Sequence, residues 1–189
     1  MGTDLFKGKL VRLCADEPDV LAEVFSRWGR NSEYIRLLDN DPAKLWSAKK
    51  FKEWIEKELD QEGTVRFTYM IHTIEADKLI GFVSMWGFDQ PGSEAWVGIG
   101  MGEPEFWGRG YGTEAMQLIL QYAFQELNLH RVTLGVFEYN QRAIRSYEKA
   151  GFIHEGRIRK EVLREGKRWD ALQMGILREE WAARVNGVN

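Results

Sequence analysis

Hydrophobic positions recur along this chain in two periods, and the switches between them divide it into elements. Lys9 to Leu13 reads as a short first strand. Asp16 stands where it can cap a helix, Pro18 suits the first turn, and Val20, Leu21, Val24, Phe25 and Trp28 follow at helical spacing. A second amphipathic helix is expected from Ser47, with Phe51, Trp54, Ile55 and Leu59 as its stripe. Gly29 to Trp46, between them, keeps no period and reads as an irregular, aromatic-containing segment. Arg66–Thr73 and Lys78–Trp86 are strand-like runs around a hairpin-like connection at residues 74–77, and Phe88–Ser93 reads as a turn.

Glu94 to Met101 alternates, with Ala95, Val97, Ile99 and Met101 on one face and Glu94, Trp96, Gly98 and Gly100 on the other. A long helix is expected from about Gly110 to Leu127. Nine of residues 115–127 are apolar, and Glu114, Gln117, Gln121 and Gln125 leave only a narrow polar stripe, so this helix should lie largely buried on a sheet. Arg131–Phe137 is the next strand, and Arg142–Ala150 a short helix closed by Gly151. Phe152–Leu163 and Trp169–Leu177 form a final hairpin around residues 164–167. The strand–helix–strand run from Glu94 to Phe137 implies a right-handed parallel crossover. The predicted fold class is α/β, a mixed sheet with antiparallel flanks.

The 189 residues carry 44% hydrophobic and 29% charged positions, which suits one globular domain over residues 1–189 with a substantial core. A net charge of −3 argues against a nucleic-acid partner bound through phosphate neutralisation. The charged start is unlike a signal peptide, and no apolar run approaches the roughly 18 residues of a membrane span, so a cytoplasmic protein without a membrane partner is expected. Cys14 is the sole cysteine, and His72, His130 and His154 show no ligand spacing, so no metal is expected.

Trp107-Gly108-Arg109-Gly110-Tyr111-Gly112-Thr113 stands between a predicted strand and a predicted helix. Alternating glycines allow a tight turn and close approach of a ligand, and the helix start directs free N–H groups and a positive dipole end at it. Phosphate is the natural partner. A Walker loop would need a lysine before Thr113, and a dinucleotide fingerprint a glycine in its place, so both nucleotide readings fail on specific residues. A second feature is Asn140, an N-cap candidate, followed two helical turns later by Tyr147 in Tyr147-Glu148-Lys149-Ala150-Gly151-Phe152. By spacing alone these read as a cap and a packed ring.

Together the two features resemble the GNAT family of acyl-CoA-dependent N-acyltransferases. Phe6-x-Gly8-x-x-Val11-Arg12-Leu13, the loop running into Thr113-Glu114-Ala115, Leu127-x-Leu129-His130-Arg131-Val132, Glu155-Gly156-x-x-Arg159, Asp170, and Met174-x-Ile176-Leu177-Arg178-x-Glu180-Trp181 are similar to its RimJ/RimL-type branch. That branch includes ribosomal-protein N-terminal acetyltransferases and spermidine acetyltransferases. The chain departs from the broader family at Trp107, where Gln or Arg is common, so backbone N–H groups from Arg109 to Thr113 would do most of the phosphate binding.

The resemblance implies a GNAT-like fold, its twisted sheet mostly antiparallel with helices on both faces and one parallel strand pair splayed around the acyl-CoA site. It implies acetyl-CoA as donor, bound by Ile99, Met101, Trp107, Gly108, Arg109, Gly110, Tyr111, Gly112, Thr113, Asn140, Ala143, Tyr147 and Lys149. The acceptor amine would attack the thioester directly, with a backbone N–H near Met101 on the developing oxyanion and Tyr147 giving its proton to the departing thiolate. Asn140 would bond the pantetheine amides. Glu94, Glu103 and Asp89 lie near the relevant strand, and Glu94 is the first candidate for the base. Acceptor choice should rest with the first two helices, residues 29–46 and the loop after Trp86, where Trp28, Tyr34, Trp46, Trp86, Phe88 and Trp96 offer aromatic walls and Glu33, Asp39 and Asp41 offer negative charge for a cationic amine. Trp28 and Trp54 are expected in the core. The acceptor would be a protein N-terminus, a polyamine or another small amine. A non-catalytic acyl-CoA-binding regulatory module is the alternative, and a homodimer is expected through the C-terminal hairpin and Trp181.

Overall fold

A computed structural model of the chain describes residues 4–59, 66–88 and 94–187. Its elements in chain order are β1 (Val11–Cys14), α1 (Pro18–Trp28), α2 (Ser32–Leu38), α3 (Ala48–Leu59), β2 (Phe67–Thr73), β3 (Leu79–Trp86), β4 (Glu94–Met101), α4 (Tyr111–Gln125), β5 (Arg131–Phe137), α5 (Gln141–Ala150), β6 (Ile153–Arg164), β7 (Lys167–Leu177) and α6 (Arg178–Val185). The strands form one sheet in the order β1-β2-β3-β4-β5-β7-β6. Every neighbouring pair is antiparallel except β4 and β5. This is the mixed GNAT-type arrangement expected, with the parallel pair where the crossover through α4 placed it. No helix among the described residues is long and apolar enough to cross a membrane.

The two faces of the sheet carry separate cores. On one, Ile119, Leu120, Met116 and Ala123 of α4 pack against Val83, Val97, Val132 and Met174 of the strands. On the other, Leu21 and Trp28 of α1 and Ile55 of α3 pack with Met70 and Leu79. Odd-numbered residues of β4 therefore face α4 and even-numbered ones face α1–α3, as period-2 alternation requires.

Several boundaries move for identifiable reasons. β1 begins at Val11 rather than Lys9, because the N–H groups of Lys9, Leu10 and Val11 donate to the Glu114 carboxylate at 3.0, 2.6 and 2.8 Å. Asp16 does not cap α1: Glu17 occupies that position, and the Asp16 carboxylate lies 2.7 Å from His72 Nε2. Residues 29–46 are not wholly irregular. Asn31 caps α2 by accepting from the N–H groups of Glu33 and Tyr34. A further helix, α6, follows the last strand, its first turn secured by Leu177 N–H on the Glu180 carboxylate at 2.8 Å. The turn expected over Phe88–Ser93 lies, from residue 89 on, outside the described residues.

Glu103 pins the end of β4 to α1. It accepts from Trp28 Nε1 at 2.9 Å and from Arg27 at 2.6 Å. Burial pushes this carboxyl up, but those two hydrogen bonds and the nearby cations Lys78 and Arg27 outweigh it and hold the carboxyl below its ordinary value. The neighbouring Gly102 has no room for a side chain, since a Cβ there would overlap the Trp28 indole, and Trp28 is 3% exposed. Gly102→Ala is therefore expected to destabilise the fold by at least about 3 kcal/mol in urea unfolding. Gly156→Ala, where a Cβ comes no closer than 3.7 Å to Gln173, is expected to stay within about 0.5 kcal/mol.

Candidate active site

The parallel pairing of β4 with β5 is short. It runs from Glu94 opposite Arg131 to Trp96 opposite Thr133. Beyond that point β5 pairs only with β7, and β4 only with β3. The two strands part like a V whose open end lies at Ile99 and Met101.

The register of β4 settles where its backbone points. Gly102 N–H donates to Ile80 C=O at 2.9 Å, and Gly100 and Gly98 stand opposite Phe82 and Ser84. Hydrogen-bonding direction alternates along an antiparallel strand. Residues 98, 100 and 102 therefore bond to β3, while Ile99 and Met101 turn their N–H and C=O toward the gap. Trp107 Nε1 fills one of these, the Met101 carbonyl, at 2.7 Å. The N–H of Met101 and both groups of Ile99 still face the opening.

The gap widens into a cleft of about 780 Å³ lined by β4, the loop before α4, α5 and the α2 end. Gly110 enters α4 with φ 93°, a left-handed conformation that glycine adopts without strain. Helical bonding starts with Glu114 N–H on Gly110 C=O, so the N–H groups of Tyr111, Gly112 and Thr113 have no intrahelical partner. The nearest atoms to a Cβ on Gly112 would be side-chain atoms of Met101 and Ile99, at 3.6 to 3.8 Å. The helix N-terminus and the open edge of β4 thus meet at one point. Across the cleft, α5 presents Arg142, Arg145 and Lys149, none with a carboxylate within ion-pair distance among the described residues.

Tyr147 also lines the cleft. Its side chain is 8% exposed, and burial pushes its phenol up to about 12, so it stays neutral and protonated at physiological pH. Tyr34 of α2 is a second buried phenol in the same cleft, also pushed up by burial. Its oxygen lies 2.9 Å from where a Cβ of Gly100 would stand.

The pattern of the chain matches the model of the acetyltransferase (GNAT) domain over residues 10–153. The chain belongs to the GNAT family. It carries a GNAT N-acetyltransferase domain. It is 37% identical over 128 residues to YjcK of Bacillus subtilis (strain 168), a probable N-acetyltransferase, covering 67% of each chain. It is 28% identical over 159 residues to the spermidine N(1)-acetyltransferase of Escherichia coli (strain K12), covering 79% of this chain and 82% of that one. Its fold resembles the crystal structure of the Vibrio cholerae spermidine N-acetyltransferase in complex with CoA and spermine, with a TM-score of 0.78, 22% identity, and 93% and 99% of the two chains covered.

Within this GNAT domain, not every expected residue reaches the cleft. Ile99, Met101, Trp107, Gly108, Gly110, Gly112, Thr113, Asn140, Ala143, Tyr147 and Lys149 line it. Arg109 and Tyr111 do not. The Arg109 guanidinium lies over the Phe106 and Tyr111 rings, and Tyr111 packs edge-on against Phe106. Only the backbone at these two positions serves the helix start. The side chain of Asn140 caps Ala143 N–H at 3.2 Å and donates to Leu37 C=O at 3.4 Å, so it ties α5 to α2 and keeps one N–H and one lone pair for a partner in the cleft. Thr113 Oγ1 bonds Ser146 Oγ at 2.7 Å.

Glu94 falls outside the cleft. It sits at the closed end of the V, exposed, with its carboxylate 3.8 Å from Arg131. Glu103 is held by Arg27 and Trp28, and Asp89 lies outside the described residues. Among the described residues, the carboxylates lining the cleft are Glu114, which already accepts three backbone N–H groups, and Asp39. Of the aromatic walls expected, Tyr34 and Trp86 reach the cleft. Trp46 packs on Phe51 and Trp54, and Phe88 on Phe67. Trp28 is core, but Trp54 is 39% exposed and lines the cleft.

Two features escaped the linear reading. Arg142 and Arg145 join the expected Lys149 at steps of three and four, a cationic helix face that periodicity alone could have flagged. Cys14, Asp16 and His72 gather within 4.8 Å of one another, although His72 is far from the others in sequence. Each already has a protein partner: Cys14 Sγ the Met70 carbonyl, His72 Nε2 the Asp16 carboxylate, and His72 Nδ1 the Asp77 carbonyl at 3.0 Å.

Gly110→Ala places a Cβ in a left-handed conformation that costs about 1–2 kcal/mol, which the loop can relieve by turning its N–H groups aside. Titration calorimetry should show CoA affinity reduced about tenfold, with a melting temperature lowered by only a few degrees.

Proposed function

We propose that this GNAT domain transfers the acetyl group of acetyl-CoA to a primary amine by direct attack within a ternary complex. The observation that carries the proposal is one cleft holding three parts: the N–H of Met101 with both backbone groups of Ile99, the N-terminus of α4, and the buried phenol of Tyr147. The N–H groups of residues 111–113 and the cations of α5 suit a pyrophosphate. The unpaired groups of Ile99 suit the amides of a pantetheine arm, which would join β4 as an added strand.

Met101 N–H is then aimed at the thioester carbonyl. A preorganised donor of this kind stabilises the oxyanion by about 3–4 kcal/mol. The amine attacks the carbonyl carbon, the C–S bond breaks, and the electron pair leaves with sulfur. Tyr147 sits buried and protonated at the cleft wall and donates a hydrogen bond to that sulfur. Its pKa of about 12 lies above the ordinary thiol value of about 8.5, so complete transfer to a free thiolate would be uphill by roughly 5 kcal/mol. Tyr147 therefore acts in the transition state, where partial transfer suffices. The proton lost by the amine goes to Asp39 or to water beside it, since Asp39 is the cleft carboxylate not held by several donors.

The motif residues support the RimJ/RimL-type branch of the family, with residues 1–189 as one acetyltransferase unit working in the cytoplasm. Self-association through the C-terminal hairpin fits its exposed Ile158 and Leu163 on β6.

Tyr147→Phe is expected to lower kcat about 100-fold in a thiol-release assay while leaving the KM for acetyl-CoA nearly unchanged. Glu94→Gln should leave both constants within about twofold of wild type. A regulatory module would instead bind CoA without turnover on any amine. The rate should climb with pH as the amine loses its proton, and Tyr147 should impose no falling limb until the pH approaches 12. A falling limb near 10, the ordinary phenol value, would contradict the buried, neutral Tyr147.

A further inference from the structure

The even-numbered face of β4 leads away from the reaction centre as a groove. Two glycines in its floor let aromatic rings pack down onto the strand. A Cβ on Gly100 would stand 2.6 Å from the Phe82 ring, and one on Gly98 would stand 3.1 Å from the Trp86 ring. The outer edge of the Trp86 ring thus lies over Gly98, and the ring lines the cleft. At its far end the Arg66 guanidinium stacks over Trp86, 5.1 Å from the ring centroid. Both residues line the cleft, and Arg66 is exposed. No carboxylate lies within ion-pair distance of Arg66 among the described residues.

A guanidinium stacked on an indole keeps its N–H edge free for a bidentate oxyanion, and on the acceptor side, away from the helix start that suits the donor's phosphates, a carboxylate fits that edge. Leu37, Leu38 and Trp54 give the same cleft apolar walls. Asp39 is the acceptor-side carboxylate, and it stands by α2. A polyamine lying in this groove would bring its distal ammonium to Arg66, a like-charge meeting. The span also matters. Gly100 and Trp96, which stands opposite Trp86, are four residues apart, about 13 Å along the strand. A tripeptide extends over about 10 Å.

We infer that Arg66 selects an acceptor bearing a carboxylate about a tripeptide's length from its amine: the N-terminus of a short acidic peptide rather than a polyamine. This rests on the transferase reading above. It also reverses the expectation that acids at 33, 39 and 41 would favour a cationic amine, since Glu33 and Asp41 do not line the cleft.

The test compares kcat/KM at saturating acetyl-CoA for the tripeptide Ala-Leu-Glu, its neutral counterpart Ala-Leu-Gln-amide and spermidine, with wild type, Arg66→Ala and Arg66→Glu. Wild type should favour the acidic peptide over the amide about tenfold, mainly through KM. That ratio should approach one in Arg66→Ala and invert in Arg66→Glu, where spermidine should also gain, with the KM for acetyl-CoA unchanged throughout. A ratio indifferent to Arg66, or a wild type that prefers spermidine, overturns the inference and leaves the transferase intact. Thermal stabilisation by CoA with no thiol release on any amine overturns both.

Discussion

The molecule turns on a row of backbone groups that the sheet leaves unpaired. In most sheets each interior strand satisfies both neighbours, because a buried N–H or C=O without a partner costs on the order of 1–3 kcal/mol. Here β4 and β5 hold together over Glu94–Trp96 and Arg131–Thr133 and then separate. The groups of Ile99 and Met101 face a cleft instead of a strand. On the proposal above, a donor that adds its own amides there completes the sheet, so its site is a missing piece of secondary structure as much as a pocket.

Keeping such a gap open needs braces on both sides, and the chain supplies them as long-range polar contacts. Trp107 bonds the Met101 carbonyl and draws the glycine loop against the strand end. Glu114, at the start of α4, accepts three N–H groups from residues 9–11 and ties β1 to the same helix end. Glu103 clamps α1 beneath β4 through Trp28 and Arg27. On the opposite wall, Thr113 and Ser146 join α4 to α5, and Asn140 joins α5 to α2. The helix N-terminus, the open strand edge and the Tyr147 phenol are thereby held in fixed relation, which electrostatic preorganisation requires.

Much of this was legible in the linear order of residues. The alternation of Glu94–Met101, the apolar run of α4 and the glycine loop between them carry local signals, and they gave the parallel pair and the glycine-led helix start. What failed was whatever depends on residues distant in sequence. Glu94 shares a strand face with Gly98 and Gly100, yet it sits at the closed end of the V, and only the pairing shows where the strands part. Asp16 has the chemistry of a cap but finds His72 instead, and Asn140 uses part of its amide on its own helix and on α2. The short helix α2 was hidden because seven residues hold too few periods to stand out, although the Asn31 cap before it was a readable cue. Arg66 stands outside any motif, and its meaning comes from Trp86 across the strand pair.

The central claim is that the backbone of Ile99 and Met101, with the first turn of α4, receives the donor. Amide hydrogen exchange resolved by residue, with and without CoA, tests it most directly. The N–H groups of Ile99, Met101, Gly112 and Thr113 should exchange quickly in the free protein and become strongly protected on saturation, while Gly102, already bonded to Ile80, changes little. CoA that binds while leaving those four amides as fast as before would contradict the account.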